Sequence, residues 1–360
     1  MQIFDALVSL QGEEGTFSSI QAALEAAPKD ESYYRIYLSP GHYQECIYIT
    51  RDNLEIVGAG RSEVVLCGAV CAGMLKEAGQ LASTLGSRIV EIDAVNVTLR
   101  QLTIANQWDY LENLRKPDHD PSKQQHSQAV ALLMNERSDQ IFLEDVCLDS
   151  YQDTFCAQGG RGYLRSCQIK GNIDFVFGSG CVLLESCELL CKVYPSKSKV
   201  LGYVAAPSTN RYRQYGFVFL RCSIYRENID FKSGVEVQNY ALGRPWHPTK
   251  TFSDGRYADP EAIGVALYIE CKLGEHIYGW DKMHGLAKDG TKRFFEPDKD
   301  ARFYEWRNDG VGALHSGYKG VWPKAESFAG LGQDLVPALR EEVLGEWGLS
   351  FKSPSELSRL

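Results

Sequence analysis

Short runs of strand-forming residues, and not long helical stretches, set the rhythm of this chain. One template recurs: a large apolar residue, two variable positions, Cys, Leu or Val, one variable position, then Ile or Leu. It reads Leu99-Arg100-Gln101-Leu102-Thr103-Ile104, then Leu143-Glu144-Asp145-Val146-Cys147-Leu148 and Leu164-Arg165-Ser166-Cys167-Gln168-Ile169. Leu184-Glu185-Ser186-Cys187-Glu188-Leu189, Phe219-Leu220-Arg221-Cys222-Ser223-Ile224 and Tyr268-Ile269-Glu270-Cys271-Lys272-Leu273 follow. The middle copies return every 20 to 21 residues, and later ones stand beyond longer insertions. A period of this size in strand-like runs marks a solenoid. The runs are too short to hold a 3.6-residue period, which excludes helical repeats. Only the 99–104 copy approaches a leucine-rich repeat. The pattern therefore predicts an all-β fold, a right-handed parallel β-helix, with the cysteine position as an inward ladder of stacked thiols.

Other elements fit around this coil. Residues 14–28 predict a short amphipathic helix, capped by Ser18 or Thr16 and stopped by Pro28. Strand-like runs follow at 35–38, 47–49 and 54–57, with a turn at Pro40 to Glu45. Residues 107–127, 226–263 and 284–300 read as loop-like insertions, which on a solenoid build one functional face. From Leu331 to Trp347, Leu335, Leu339 and Val343 fall at helical spacing. The expected organisation is a β-helix catalytic domain over 1–325 and a helical tail over 326–360 that packs back on the coil as a cap.

Composition narrows the function. The net charge of −9 argues against a nucleic-acid surface, which needs a basic stripe. No apolar run reaches the roughly 20 residues of a spanning helix, so no membrane partner is expected. The 11 cysteines are odd in number and lack metal-type spacing, so they read as small buried hydrophobes and no metal is expected. With no basic, apolar leader at the start, the chain as written is expected in the cytoplasm, or secreted or periplasmic if it is a processed form.

Candidate chemistry lies in Tyr151-Gln152-Asp153-Thr154-Phe155 and Gly171-Asn172-Ile173-Asp174-Phe175-Val176-Phe177-Gly178. Aspartate is depleted inside strands, yet both acids stand among strand formers. Their separation is 174 − 153 = 21 residues, one coil. Adjacent rungs are about 4.8 Å apart, so the two carboxylates become neighbours. Repulsion at ~5 Å is about 3 kcal/mol at an effective dielectric of ~20. One pKa should rise while the other stays low, a division that suits an acid and a nucleophile. Gln128, 25 residues before Asp153, and Gln152 add neutral N–H donors for an oxyanion. Ester hydrolysis and glycoside hydrolysis both fit, as does a plain pair of turn or bulge residues. Leu242-Gly243-Arg244-Pro245-Trp246 adds a cation and an aromatic platform suited to a carboxylated sugar.

Together with Gly41-His42-Tyr43-Gln44-Glu45 and Gln128-Ala129-Val130-Ala131-Leu132, these segments resemble, in order, the five signature segments of the pectin methylesterases. The likeness spans roughly residues 12 to 325. It implies that Asp174 attacks the methyl ester of a galacturonate unit. Asp153 then serves as general acid and base, Gln128 and Gln152 line the oxyanion hole, Arg244 positions Asp174, and Trp246 stacks on the sugar. Tyr151, Phe175 and Trp280 are further candidates for subsites. No cofactor is implied, and a monomer acting on methyl-esterified galacturonan polymer or oligosaccharide is expected. Where the family often has Thr-Ala-Gln, this chain has Val204-Ala205-Ala206-Pro207-Ser208. Its insertions predict higher cleft walls and a preference for short chains or chain ends. Rival readings are a same-fold esterase or thioesterase for another acyl group, and a non-catalytic carbohydrate-binding β-helix. A polygalacturonase would want Asp-Asp and Gly-His-Gly, which the chain lacks.

Overall fold

The recurring template folds as a corner. The residue before each Cys/Leu/Val position turns left-handed: Gln101, Asp145, Ser166, Ser186, Arg221 and Glu270 have φ of 50–54°. Each corner sends the chain from one sheet face to the next. The computed structural model describes residues 4–75, 79–196, 198–228 and 239–351.

Three parallel faces result. The first runs from Ala6–Val8 through Tyr34–Leu38, Leu54–Gly58, Val95–Asn106, Asp139–Asp149, Arg161–Arg165, Cys181–Glu185, Phe217–Leu220 and Val265–Ile269 to Arg302–Trp306. Val95–Asn106 and Asp139–Asp149 run on through the corner into the second face, which continues through Gln168–Gly171, Glu188–Cys191, Ser223–Arg226 and Lys272–Leu273. The third stacks Ile47–Ile49, Val90–Ile92, Leu132–Met134, Phe155–Ala157, Ile173–Gly178, Val200–Pro207, Asn239–Gly243 and Ile277–Trp280. This is the expected parallel β-helix.

Equivalent residues stack inside the coil because the rungs pair in register. Leu143, Leu164, Leu184, Phe219 and Tyr268 form one column, and the last two rings stack at 4.2 Å and 7°. The thiols form the expected inward ladder. Each Sγ–H donates to the carbonyl of an earlier rung: Cys167 to Leu143, Cys187 to Leu164, Cys222 to Leu184, Cys271 to Phe219, at 3.3–3.5 Å. All eleven cysteines are free thiols, and Cys46 alone is exposed.

Several local expectations are corrected. The N-terminal helix is shorter, Ile20–Glu25, and Ser19 caps it, with its Oγ accepting from the Ala22 N–H. Neither Ser18 nor Thr16 does so. The Glu45 carboxylate accepts from the Ile20 and Gln21 N–H groups at 3.0 and 3.1 Å, adding a negative charge where the helix end wants one. Gly41–Gln44 is a strand and not a turn, paired with Val64–Gly68. The first of the five segments is therefore architectural. It buries Tyr43 and supplies a helix cap.

Two insertions are also more ordered than their composition suggests. Thr249–Phe252 pairs antiparallel with Gly255–Ala258, and Met283–Leu286 with Lys292–Phe295. Residues 229–238 of the first insertion lie outside the described residues.

The tail forms the helices Leu335–Leu344 and Glu346–Leu349. It lies along the flank of the first face instead of closing an end. Leu335, Leu339, Val343 and Leu344 pack with the outward side chains Phe142, Tyr163, Leu183 and Val218 in one apolar layer.

Candidate active site

Both aspartates stand where the coil enters the third face. Each adopts a left-handed backbone, φ 64° at Asp153 and 50° at Asp174. Aspartate tolerates this conformation better than the β-branched and aromatic residues around it. That accounts for two acids in strand-like runs: they sit at kinks that aim them outward. The register between Ile173–Gly178 and Val200–Pro207 also shifts between Ile173 and Val176.

Backbone bonds bring the rungs together. The Ala129 N–H donates to Gln152, and the Asp153 N–H donates to Ile173, each at 3.0 Å. Gly171 makes the close approach possible, because a Cβ there would stand 2.8 Å from the Thr154 Oγ1 of the neighbouring rung and 2.2 Å from the Phe175 Cβ. Gln128, Gln152, Asp153 and Asp174 consequently face one cleft of about 470 Å³, joined by Arg244 and Trp246 from the later rung.

Electrostatics separate the two acids. Arg244 grips Asp174 with a fork, Nε to Oδ1 at 2.9 Å and Nη2 to Oδ2 at 2.6 Å. Burial opposes the charge on Arg244, but the Asp174 carboxylate outweighs it and holds the guanidinium protonated. Among the described residues Asp153 has no such partner. Burial, reinforced by the nearby Asp174 charge, pushes its carboxyl well above the usual range, and Arg244 only partly offsets this. One acid is thus gripped in a direct ion pair. The other favours its proton.

The amides complete the site. Among the described residues the Gln128 Oε1 is buried without a hydrogen-bond partner. Rotation of the terminal amide exchanges its oxygen and NH₂, so Gln128 can present a donor to a group arriving in the cleft. Trp246 is half-buried, edge-on to Phe177 at 5.7 Å. None of these side chains has metal-type company: among the described residues there is no group of three or more His, Cys, Asp or Glu able to hold an ion.

Three subsite candidates fall outside the cleft wall. Phe175 is fully buried in the core of the coil, because the kink at Asp174 turns the acid outward and the ring inward. Trp280 is also a core residue, stacked on Phe303 at 4.4 Å with its indole N–H given to Glu305. Tyr151 stacks on Tyr110 at 5.0 Å under the Lys192 ammonium at 4.3 Å, and it is not among the cleft-lining residues.

Other contributors escaped the sequence reading. Tyr203 lies beneath the Arg244 guanidinium, 3.9 Å from Cζ to ring centroid. Thr84, Leu85, Gln158, Phe177, Ala206 and Met283 line the cleft. Tyr203 stands 29 residues after Asp174, off the 21-residue period (203 − 174 = 29), so no spacing pointed to it.

Comparison with known proteins agrees with this geometry. Residues 5–257 match the family model Pectinesterase. Pectinesterase A of Dickeya dadantii is 38% identical over 347 residues, covering 96% of this chain and 91% of that protein. A solved pectin methylesterase in complex with a hexasaccharide superposes with a TM-score of 0.88 at 38% identity, over 96% of this chain and 98% of that one. A pectin methylesterase from Yersinia enterocolitica gives 0.82 at 39% identity, covering 89% and 98%. The enzyme from carrot, at 20% identity and 0.70, shares the fold. With the family model covering more than half its length, the chain belongs to the pectinesterase family.

Proposed function

We propose that this pectinesterase hydrolyses the methyl esters of galacturonate units through an acyl-enzyme on Asp174. The observation that carries the assignment of roles is the inequality of the two carboxylates. Asp174 is gripped by Arg244, while Asp153 is buried and favours its proton.

The Asp174 carboxylate attacks the ester carbonyl. The oxyanion that forms is held by N–H groups of Gln128 and Gln152. Its collapse expels the methoxy group, which takes the Asp153 proton and leaves as methanol. An anhydride now joins Asp174 to the sugar. Asp153, now a carboxylate, draws a proton from water as that water attacks. Galacturonic acid is released and gives its proton to solvent, and both aspartates return to their starting states. Trp246 offers an aromatic face to the sugar ring.

The enzyme is proposed to act as a monomer. The solved complex with a hexasaccharide supports an oligosaccharide of this type as substrate.

Methanol release from methylated pectin and from short methylated oligogalacturonides, with an acyl-CoA as control, tests the reading. Asp174→Asn should abolish release from both. Undiminished release in that variant would remove the nucleophile assignment. Thioester cleavage without methanol would move the chain to another acyl substrate.

A further inference from the structure

The hairpin formed by Met283–Leu286 and Lys292–Phe295 has two unlike sides. Cross-strand partners share a side in an antiparallel pair, and the register joins Met283 to Phe295 and His284 to Phe294. The inner side carries Met283, which lines the catalytic cleft, and Phe295, buried against His247 at 3.9 Å. On the outer side stand His284, Phe294 and Lys292, with Lys282 just ahead of the first strand, all exposed. Phe294 is a large ring that is 48% exposed. The Lys282 and Lys292 ammoniums lie 4.9 and 5.2 Å from its centroid. Among the described residues neither is in an ion pair, whereas Lys288 is taken by Asp254 and Arg293 by Asp300.

We propose that this outer face is a second binding site, for an already demethylated stretch of the galacturonan chain being processed. The inference rests on the esterase reading above. Every turnover turns a neutral ester into a carboxylate, so a partly processed chain is a polyanion. A protein of net charge −9 repels a polyanion at long range. Two unpaired ammoniums flanking an exposed ring locally reverse that repulsion. The ring offers a flat apolar surface to a sugar, and the ammoniums match carboxylates on either side of it. Lys282 and Met283 are consecutive, so the patch continues from the cleft edge. A chain leaving the cleft past Met283 can reach it. The hairpin then does more than raise a wall, and long partly demethylated chains gain a contact that short ones lack. This replaces the expectation that higher walls favour short chains.

The test is the double variant Lys282→Gln/Lys292→Gln, with Phe294→Ala beside it. On block-demethylated pectin KM should rise roughly three- to tenfold, with weaker dependence on salt. On short, fully methylated oligogalacturonides kcat and KM should stay unchanged. Calorimetric titration of unmethylated galacturonan into Asp174→Asn should show tighter binding than into the same protein carrying the lysine changes. Equal binding there, or an equal rise in KM on both substrates, would overturn the second site. Loss of methanol release by the unmodified enzyme on every substrate would instead strike the esterase reading, and the titration would still decide the patch.

Discussion

Among the described residues, two arginine–carboxylate forks lie buried, and they have the same internal chemistry. In the cleft Arg244 grips Asp174, with side chains 18% and 10% exposed. Under the tail helix Arg340 grips Glu185, at 3% and 11%. Both forks use Nε and Nη2 at 2.6–2.9 Å. The difference lies in what stands opposite. Glu185 meets the Tyr163 hydroxyl, which donates at 2.7 Å, and Arg340 gives its remaining nitrogen to the Phe351 carbonyl. Every strong group there is satisfied. Asp174 meets a second carboxylate, Asp153, and open space. A buried ion pair is thus no mark of function by itself. A like charge and an empty volume beside it are what separate a reactive pair from a structural one.

Three substitutions would break or sharpen the contrast. The largest effect is expected from Asp153→Asn, which leaves the Arg244 fork intact and removes the proton carrier. Methanol release should fall by about 10²–10⁴-fold, measured as kcat on methylated oligogalacturonides. Next is Arg340→Met, which strands the Glu185 charge in an apolar layer. Urea unfolding should show a loss of about 3–5 kcal/mol, with kcat per folded molecule unchanged. A parallel loss of kcat would show that the two forks are coupled. Arg244→Met should cost about 10²–10³-fold in kcat, in the range of a lost preorganised donor. It should also shift the pH profile. Asp153 must be protonated to release methanol, so activity falls as pH rises through its elevated pKa. Arg244 pulls that value down, so its removal should carry the alkaline limb to higher pH. An unmoved limb would take the acid role from Asp153.

The smallest effect is on stability. Asp153 binds its proton more tightly in the folded chain than in the unfolded one. Its support for the fold is therefore complete below the ordinary aspartate value and is lost as pH rises through the elevated one. Asparagine suffers no such loss. At neutral pH Asp153→Asn should raise unfolding stability by on the order of 1 kcal/mol, read from the same urea titrations. A site that gains stability when it loses activity is the opposite of the Glu185 fork.

Much of this was legible in the chain. The 20 to 21-residue return of the template placed the thiol ladder and the two aspartates on adjacent rungs. Side-chain direction was less legible. In a plain strand, alternation would decide which residues face the cleft, but left-handed residues at 153 and 174 break the alternation. Phe175 therefore looked like a subsite and is core. Trp280 was misread for another reason: it stacks on Phe303 near the end of the coil, a contact that no local pattern announces.

The sequence by itself determined the period, the neighbourhood of the two acids and the family. These follow from local rules, because rung spacing repeats within about twenty residues. Only the tertiary structure decided how the acids are held unequal, by a two-point fork from Arg244 on one of them. Arg244 comes from 70 residues beyond Asp174, across insertions that have no period. It also decided that the tail lies along the flank of the first face, and that one hairpin shows an aromatic, basic side to solvent. Such placements depend on which apolar surfaces are left to cover once the coil is built, and that is known only when the chain has folded.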